Sequence, residues 1–441
     1  MFSEARTLLR LAWPVVLGQL GITLMGVVDI AMVGSLGEVP LSGLAAGNMW
    51  SFATIIPGLA LMMGLDPLFA QAHGAGEPRA MGRTLVRATA LALMITPLFI
   101  WVHLRAEAGL TLLDQPPEAI EIAAEYCAVL AISIPGMLLF QVLRQYLLAM
   151  GRMGLPTIAV IVANAVNVLL NWLLISGHWG FPALGAVGCG WATTAVRFVL
   201  PVVLLVLAWP EVRSRLPAWE GLLSPRLIWG LFLKALPVSG QMTLEVWAFN
   251  AVGVLMGWLG TAALAGHSLA LNLSVISWMI IFGLAAAAST RVGNLIGAGR
   301  PWIQTAWISV GLSLLVMGIS ATILALFPQA LARLYTRDPA VIAVAATLIP
   351  LAAVYQLFDG VQGVIAGVLR GAGDVRVPAL LALASFWGIG LPAAWWLGIE
   401  RQGGPQGIWW GLVLALVSVA MLLLLRLVWV GARRVRRVQV D

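Results

Sequence analysis

The chain has 441 residues, of which 61% are hydrophobic and only 10% charged, and it carries a net charge of +7. A soluble globular protein has roughly 45–50% apolar and about 25% charged residues. Composition therefore excludes a water-soluble enzyme, a disordered chain and a small disulfide scaffold, and leaves a mostly helical integral membrane protein. The positive charge does not indicate nucleic acid, because the basic residues are distributed as membrane topology demands.

A bilayer-crossing helix needs about 20 mainly apolar residues. In chain order such runs cover 8–33, 41–65, 84–104, 121–149, 156–177, 183–209, 227–256, 261–288, 302–327, 340–369, 377–398 and 405–430. The breaks carry turn residues and charge, as in Gly74-Ala75-Gly76-Glu77-Pro78 and Gly297-Ala298-Gly299-Arg300-Pro301. The first run is too long for a cleavable signal peptide and lacks a small-residue cleavage site, so it reads as the first span. Cys127 and Cys189 fall inside apolar runs and read as small core residues, not as a bridge. With the N-terminus inside, the outer connections hold only Arg105, Arg333, Arg337 and Arg401, and the spans hold Arg144, Arg197 and Arg426. Every other Lys or Arg lies on the side of the termini. That asymmetry predicts an even number of spans with both termini cytoplasmic. The Arg cluster at 433–437 reads as a stop-transfer signal and an anchor for anionic lipid.

The strongest internal signal is a repeat. Pro14 and Pro237 lie 223 residues apart, and so do Gly34 and Gly257, Gly37 and Gly260, and the two Gly-Ala-Gly loops. Further on, Ile134-Pro135 and Gln141 match Ile349-Pro350 and Gln356 at an offset of 215, and Pro156 matches Pro378 at 222. Six spans per copy give both copies the same orientation. The expected fold is all-α, with twelve transmembrane helices in two pseudo-symmetric six-helix bundles built as parallel repeats. Residues 1–209 form the first bundle, 210–226 a cytoplasmic linker rich in proline and charge, and 227–441 the second. Pro14 and Pro237 sit inside spans and favour a kink in the first helix of each half.

Three acids lie inside spans: Asp29 in the first, Glu245 in the seventh and Asp359 in the tenth. An acid at the bilayer centre costs about 2.5–3.5 kcal/mol on insertion scales. It is tolerated as a protonated neutral group or as an anion beside a cation. A carboxylate that alternates between the two couples ion movement to something else. The competing reading is a salt bridge to Arg144 or Arg197. Asn164, Asn167 and Asn171 add polarity to the fifth span, and the last two share a helix face. That face lines a cavity or bridges helices. Thr193 adds a hydroxyl in the sixth span. Trp247 and Tyr355, close to the buried acids, offer π surfaces to an organic cation. Gln241, in the same stretch as Glu245, joins the candidate cavity.

The loops Gln71-Ala72-His73-Gly74-Ala75-Gly76 and Arg291-Val292-Gly293-Asn294-Leu295-Ile296-Gly297-Ala298-Gly299 resemble those of the multidrug and toxic compound extrusion (MATE) transporters. So do Pro14-Val15-Val16-Leu17-Gly18-Gln19, Val28-Asp29-Ile30-Ala31-Met32-Val33-Gly34 and Leu369-Arg370-Gly371-Ala372-Gly373-Asp374. The similarity covers nearly the whole chain and points to the NorM-type bacterial branch. It implies a monomeric antiporter of the bacterial inner membrane that needs no cofactor. Such a transporter expels small, amphipathic, mainly cationic drugs and dyes in exchange for Na+ or H+, and so confers drug resistance. By the same resemblance, Glu245 and Asp359 bind the coupling cation, Na+ as a metal if sodium is the ion, with Tyr355 as an adjacent aromatic. Asp29 is a third coupling acid, with Asn167, Asn171 and Thr193 around it. Related branches carry an acid where this chain has Asn171, which favours the Glu245/Asp359 site. Arg144 occupies the repeat position of Asp359.

The alternative is a lipid or lipid-linked oligosaccharide flippase of related fold, which needs a basic cavity for pyrophosphate. An intramembrane aspartyl protease is suggested only by Gly371-Ala372-Gly373-Asp374, without the second aspartate after tyrosine that such chemistry requires. HExxH, GxSxG and GxxxxGK[ST] patterns are absent from the sequence, so enzymatic chemistry is not expected.

Overall fold

The computed structural model describes residues 2–216, 223–433, 435, 437 and 438. Among these the secondary structure is helical throughout. The helices are α1 (Phe2–Gly34), α2 (Glu38–Met63), α3 (Asp66–Gly74), α4 (Pro78–His103), α5 (Ala106–Leu112), α6 (Pro117–Ile132), α7 (Ile134–Ala149), α8 (Gly154–Ser176) and α9 (Gly185–Arg213). They continue as α10 (Pro225–Trp258), α11 (Thr261–Gly297), α12 (Ile303–Leu326), α13 (Pro328–Tyr335), α14 (Pro339–Gly371), α15 (Arg376–Leu383), α16 (Leu391–Trp395) and α17 (Gly404–Gly431). Two π-helical segments, Ala384–Gly390 and Trp396–Glu400, interrupt the span that contains α15 and α16. Eleven helical segments are long and apolar enough to cross a bilayer, and α6 with α7, bent by 51°, completes the twelve expected spans. Large apolar side chains such as Val206, Leu315 and Leu425 are 69%, 60% and 67% exposed, a surface suited to lipid and not to water.

The glycine loops that mark the repeat are helix stops. Each needs a left-handed residue after the last turn, a conformation glycine adopts without the Cβ clash. Gly76 (φ 70°) ends α3 and Gly299 (φ 66°) ends α11. Glu77 N then donates to Ala72 O at 3.0 Å, and Arg300 N to Leu295 O at 2.8 Å. Gly151 (φ 71°) and Gly373 (φ 82°) repeat the motif after α7 and α14, with Arg152 N donating to Leu147 O and Asp374 N to Leu369 O. The duplication is thus written in backbone conformation as well as in sequence.

Packing divides the chain into two compact units at other points than the expected 1–209 and 227–441. One unit joins the residues up to Val16 to Gly240–Val438, and the other is Leu17–Ser239. The reason is that the leading turns of α1 and α10 each bind the other half's helices. In the first unit Arg291 Nε and Nη2 donate to Glu4 at 2.7 and 2.9 Å, and the Thr305 hydroxyl donates to the same carboxylate at 2.9 Å. In the second, Ser239 Oγ donates to Pro57 O at 2.7 Å. Both divisions fall two or three residues after Pro14 and Pro237. Of the expected linker 210–226, α9 takes the start and α10 the end, and residues 217–222 lie outside the described residues. Arg434 and Arg436 of the terminal Arg cluster also lie outside them.

Within the Leu17–Ser239 unit Cys127 and Cys189 are free, fully buried and packed with Val33, Tyr126 and Ile175, as small core residues. The other unit has an extensive apolar core, in which α11 and α14 approach so closely that a side chain on Gly367 or Gly371 would meet the backbone oxygen of Ala285 or Ser289. Small residues at four-residue spacing permit such contact between membrane helices.

Candidate functional site

The structure assembles two polar clusters, one within each unit. In the Leu17–Ser239 unit the centre is Asp29 on α1, 6% exposed. Asn167 and Asn171 of α8 turn their shared face toward it. Asn167 Nδ2 donates to Asp29 Oδ1 at 3.1 Å, Asn171 Nδ2 donates to the same oxygen at 2.5 Å, and Asn171 Nδ2 also reaches Asn167 Oδ1 at 3.2 Å. Thr193 of α9 donates its hydroxyl to Asp29 Oδ2 at 3.3 Å. An amide at position 171 is chemically apt, since an ionised acid there would have no proton to donate to Asp29. Asn164 takes the other role open to a buried asparagine. It ties α8 to α1 by donating to Gly21 O at 2.9 Å and stays out of the Asp29 cluster.

In the Gly240–Val438 unit Glu245 of α10 and Asp359 of α14 meet through a residue that sequence reasoning passed over. Gln362 Nε2 donates to Glu245 Oε1 at 2.9 Å and to Asp359 Oδ1 at 3.2 Å. Gln356, Asp359 and Gln362 recur every three residues along one stripe of α14. That spacing was the available signal, but glutamine in a membrane helix does not identify its own partner. Gln356 Oε1 accepts from Ser277 at 3.0 Å and from Ser320 at 3.2 Å, joining α11, α12 and α14. Tyr355, one turn before Asp359 and 3% exposed, packs edge-on against Trp409 with ring centroids 5.5 Å apart. Trp409 Nε1 in turn donates to His267 Nδ1 at 3.2 Å. Gln241 is buried one turn before Glu245 on the same face of α10. Trp247 lies on the same helix. It is 45% exposed, and two residues along a helix turn it about 200° away from Glu245.

The salt-bridge reading of the three acids finds no counterpart here. Among the described residues, amides, a hydroxyl and the Cys189 thiol contact Asp29, Glu245 and Asp359, and no guanidinium lies within ion-pair distance of them. Arg144 Nη1 donates to Gln141 Oε1 at 3.4 Å, and Arg197 Nη1 to Ser133 Oγ at 3.0 Å. Chemically, both clusters offer carboxylate and amide oxygens, a donor set suited to hard cations and to protons. No group of three or more His, Cys, Asp or Glu is placed to hold a metal ion among the described residues.

Comparison with known proteins agrees with the duplication. The family model described as MatE matches twice, over residues 14–173 and 237–396. The chain is 35% identical to the multidrug resistance protein PmpM of Pseudomonas aeruginosa, covering 99% of this chain and 93% of PmpM. It is 34% identical to the multidrug resistance protein MdtK of Yersinia pestis, covering 97% and 95%. In fold it is similar to the eukaryotic MATE transporter AtDTX14, with a TM-score of 0.87 and 22% identity over 97% of this chain and 96% of that one.

Proposed function

The chain belongs to the MatE family of membrane transporters, and on that premise we propose that it is a secondary antiporter that exports drugs. Its cargo is small, amphipathic and mainly cationic, and an inward flow of Na+ or H+ drives its exit. The membrane is the bacterial inner membrane, with both termini cytoplasmic. One observation carries the reading: three acids inside spans, Asp29 and Asp359 buried and Glu245 half-buried, are held by neutral donors. A carboxylate fixed to a guanidinium has its charge permanently answered. One held by amides keeps a net negative charge that an incoming cation answers better.

Glu245 and Asp359 then serve as the exchange point. An inorganic cation or proton captured there removes the attraction for an organic cation, and its departure restores it. Asp29 is a second acidic point of the same kind, in the other unit. The flippase alternative wants guanidinium groups available to pyrophosphate. Arg144, Arg197 and Arg426 are engaged by Gln141, Ser133 and Asp374, the last at 2.7 Å.

The test is efflux of the cationic dye ethidium from proteoliposomes, with a pH gradient and a sodium gradient imposed separately. One of the two should drive efflux, and Glu245→Gln or Asp359→Asn should abolish it while leaving insertion unchanged. Wild-type efflux that ignores both gradients, or full efflux by both variants, overturns the reading.

A further inference from the structure

We propose that Gln362 positions the coupling cation: its amide stands in for the ion between Glu245 and Asp359, and by turning over it offers Oε1 to the ion as a further oxygen. The proposal rests on the antiport reading and deepens it.

The geometry begins with one nitrogen. Gln362 Nε2 has two protons, and each is used on a carboxylate, at 2.9 Å to Glu245 on α10 and 3.2 Å to Asp359 on α14. Acids from two helices are therefore gathered around a single point, and the group at that point carries partial positive charge. A cation that binds both carboxylates wants the same place. While the N–H groups face that place the ion is excluded, so the amide must move for the ion to enter.

The cheapest movement is rotation about the last side-chain bond. That torsion is broad and roughly two-fold, so its two orientations differ little in intrinsic energy. Rotation exchanges Nε2 for Oε1 and puts a hard oxygen ligand where the donor had been. For a sodium ion Oε1 is a ligand, and for a proton carried by either acid it is the acceptor of the acid's O–H. The same chemistry serves both ions.

A second observation points the same way. Gln362 is 2% exposed, yet among the described residues its Oε1 has no hydrogen-bond partner. A buried acceptor without a donor is unfavourable. The amide is held in this orientation by what the two acids need and not by what its own oxygen needs, and an arriving cation removes that need. The other cluster shares one feature: Asn171 Nδ2 donates to Asp29, and among the described residues Asn171 Oδ1 is likewise buried without a partner.

The test uses the full-length protein in proteoliposomes, with ethidium efflux measured against the concentration of whichever ion drives the wild type. Gln362→Met keeps the shape and removes both donor and acceptor. Gln362→Glu keeps oxygens and removes the amide donor. The Met variant should raise the half-saturating ion concentration at least tenfold. The Glu variant should stay within threefold of wild type. A purely structural clamp predicts the opposite order, because a third acid beside two acids is worse than a thioether.

A Met variant within twofold of wild type, or a Glu variant no better than Met, overturns the proposal. If the Met variant does not fold, a Glu variant more than tenfold weaker for the ion than wild type does so alone. A wild type that answers neither gradient overturns the antiport reading itself and this proposal with it. That failure is distinguishable because it appears before any substitution is made.

Discussion

Asp29 accepts from neutral groups on α8 and α9, and those bonds should be separable by substitution. Asn171→Leu removes the shortest of them and leaves a buried carboxylate short of a donor. A hydrogen bond to a charged group is worth about 1.5–3 kcal/mol, so the variant should lose about that much stability. Asp29→Asn removes the charge whose burial created the demand and should cost less. The double variant should recover part of the Asn171→Leu loss, because removing both partners leaves nothing unsatisfied. Equilibrium unfolding in detergent micelles measures all three, and strictly additive losses would show that the bond between 171 and 29 contributes nothing. Spacing put Asn167 and Asn171 on one helix face but left open whether that face lined a cavity or bridged helices, and only the family resemblance grouped them with Asp29. Gln362 was not legible, since its role depends on α10 meeting α14, and no spacing within one helix encodes that. Trp247, near Glu245 in the chain, lies about 200° around the helix from it, because successive helical residues turn by about 100°.

Helix ends were readable for a related reason. Gly76, Gly151, Gly299 and Gly373 all stand where a chain must leave a helix through the left-handed region, and only glycine enters it without steric cost. Gly299→Ala should therefore destabilise the protein by about 1–2 kcal/mol, the cost of left-handed backbone for an L-residue. Gly230→Ala is the control. It lies in α10 with open space around its Cα, and alanine there should be neutral or stabilising by up to about 1 kcal/mol. Thermal unfolding of the two variants side by side checks the contrast, and equal midpoints would remove the structural meaning given to the repeated Gly-Ala-Gly loops. The span expected at 377–398 was legible as apolar but not as interrupted. Its two π-helical segments add residues per turn without changing composition, so a window average cannot detect them. Trp387, in the first segment, donates from Nε1 to Leu244 O at 3.0 Å, beside Glu245. The departure from regular helix thus lies against the acidic cluster, where a deviation is most often functional.

For the molecule as a whole, duplication is the property that sequence and structure express most alike, because the same helix stops recur 222 or 223 residues apart. Where the chain divides was harder to read. A linker rich in proline and charge looks like a boundary, but α1 and α10 change partners inside a span, just past Pro14 and Pro237, and hydropathy is blind to partners. Orientation is the remaining property of this scale, and the distribution of arginine makes a definite prediction about it. Lys and Arg resist translocation, so the connections rich in them stay in the cytoplasm. Arg105 and Arg401 should then face outward, and Arg79 and Arg300 inward, all four being exposed in the structure. The native cysteines give little background for a labelling test, since Cys127 and Cys189 are free but have no exposed surface. Arg105→Cys and Arg401→Cys should react with a membrane-impermeant maleimide on intact cells. Arg79→Cys and Arg300→Cys should react only after the membrane is opened. The reverse pattern would place both termini outside and, with them, reverse the direction of transport assigned to the protein.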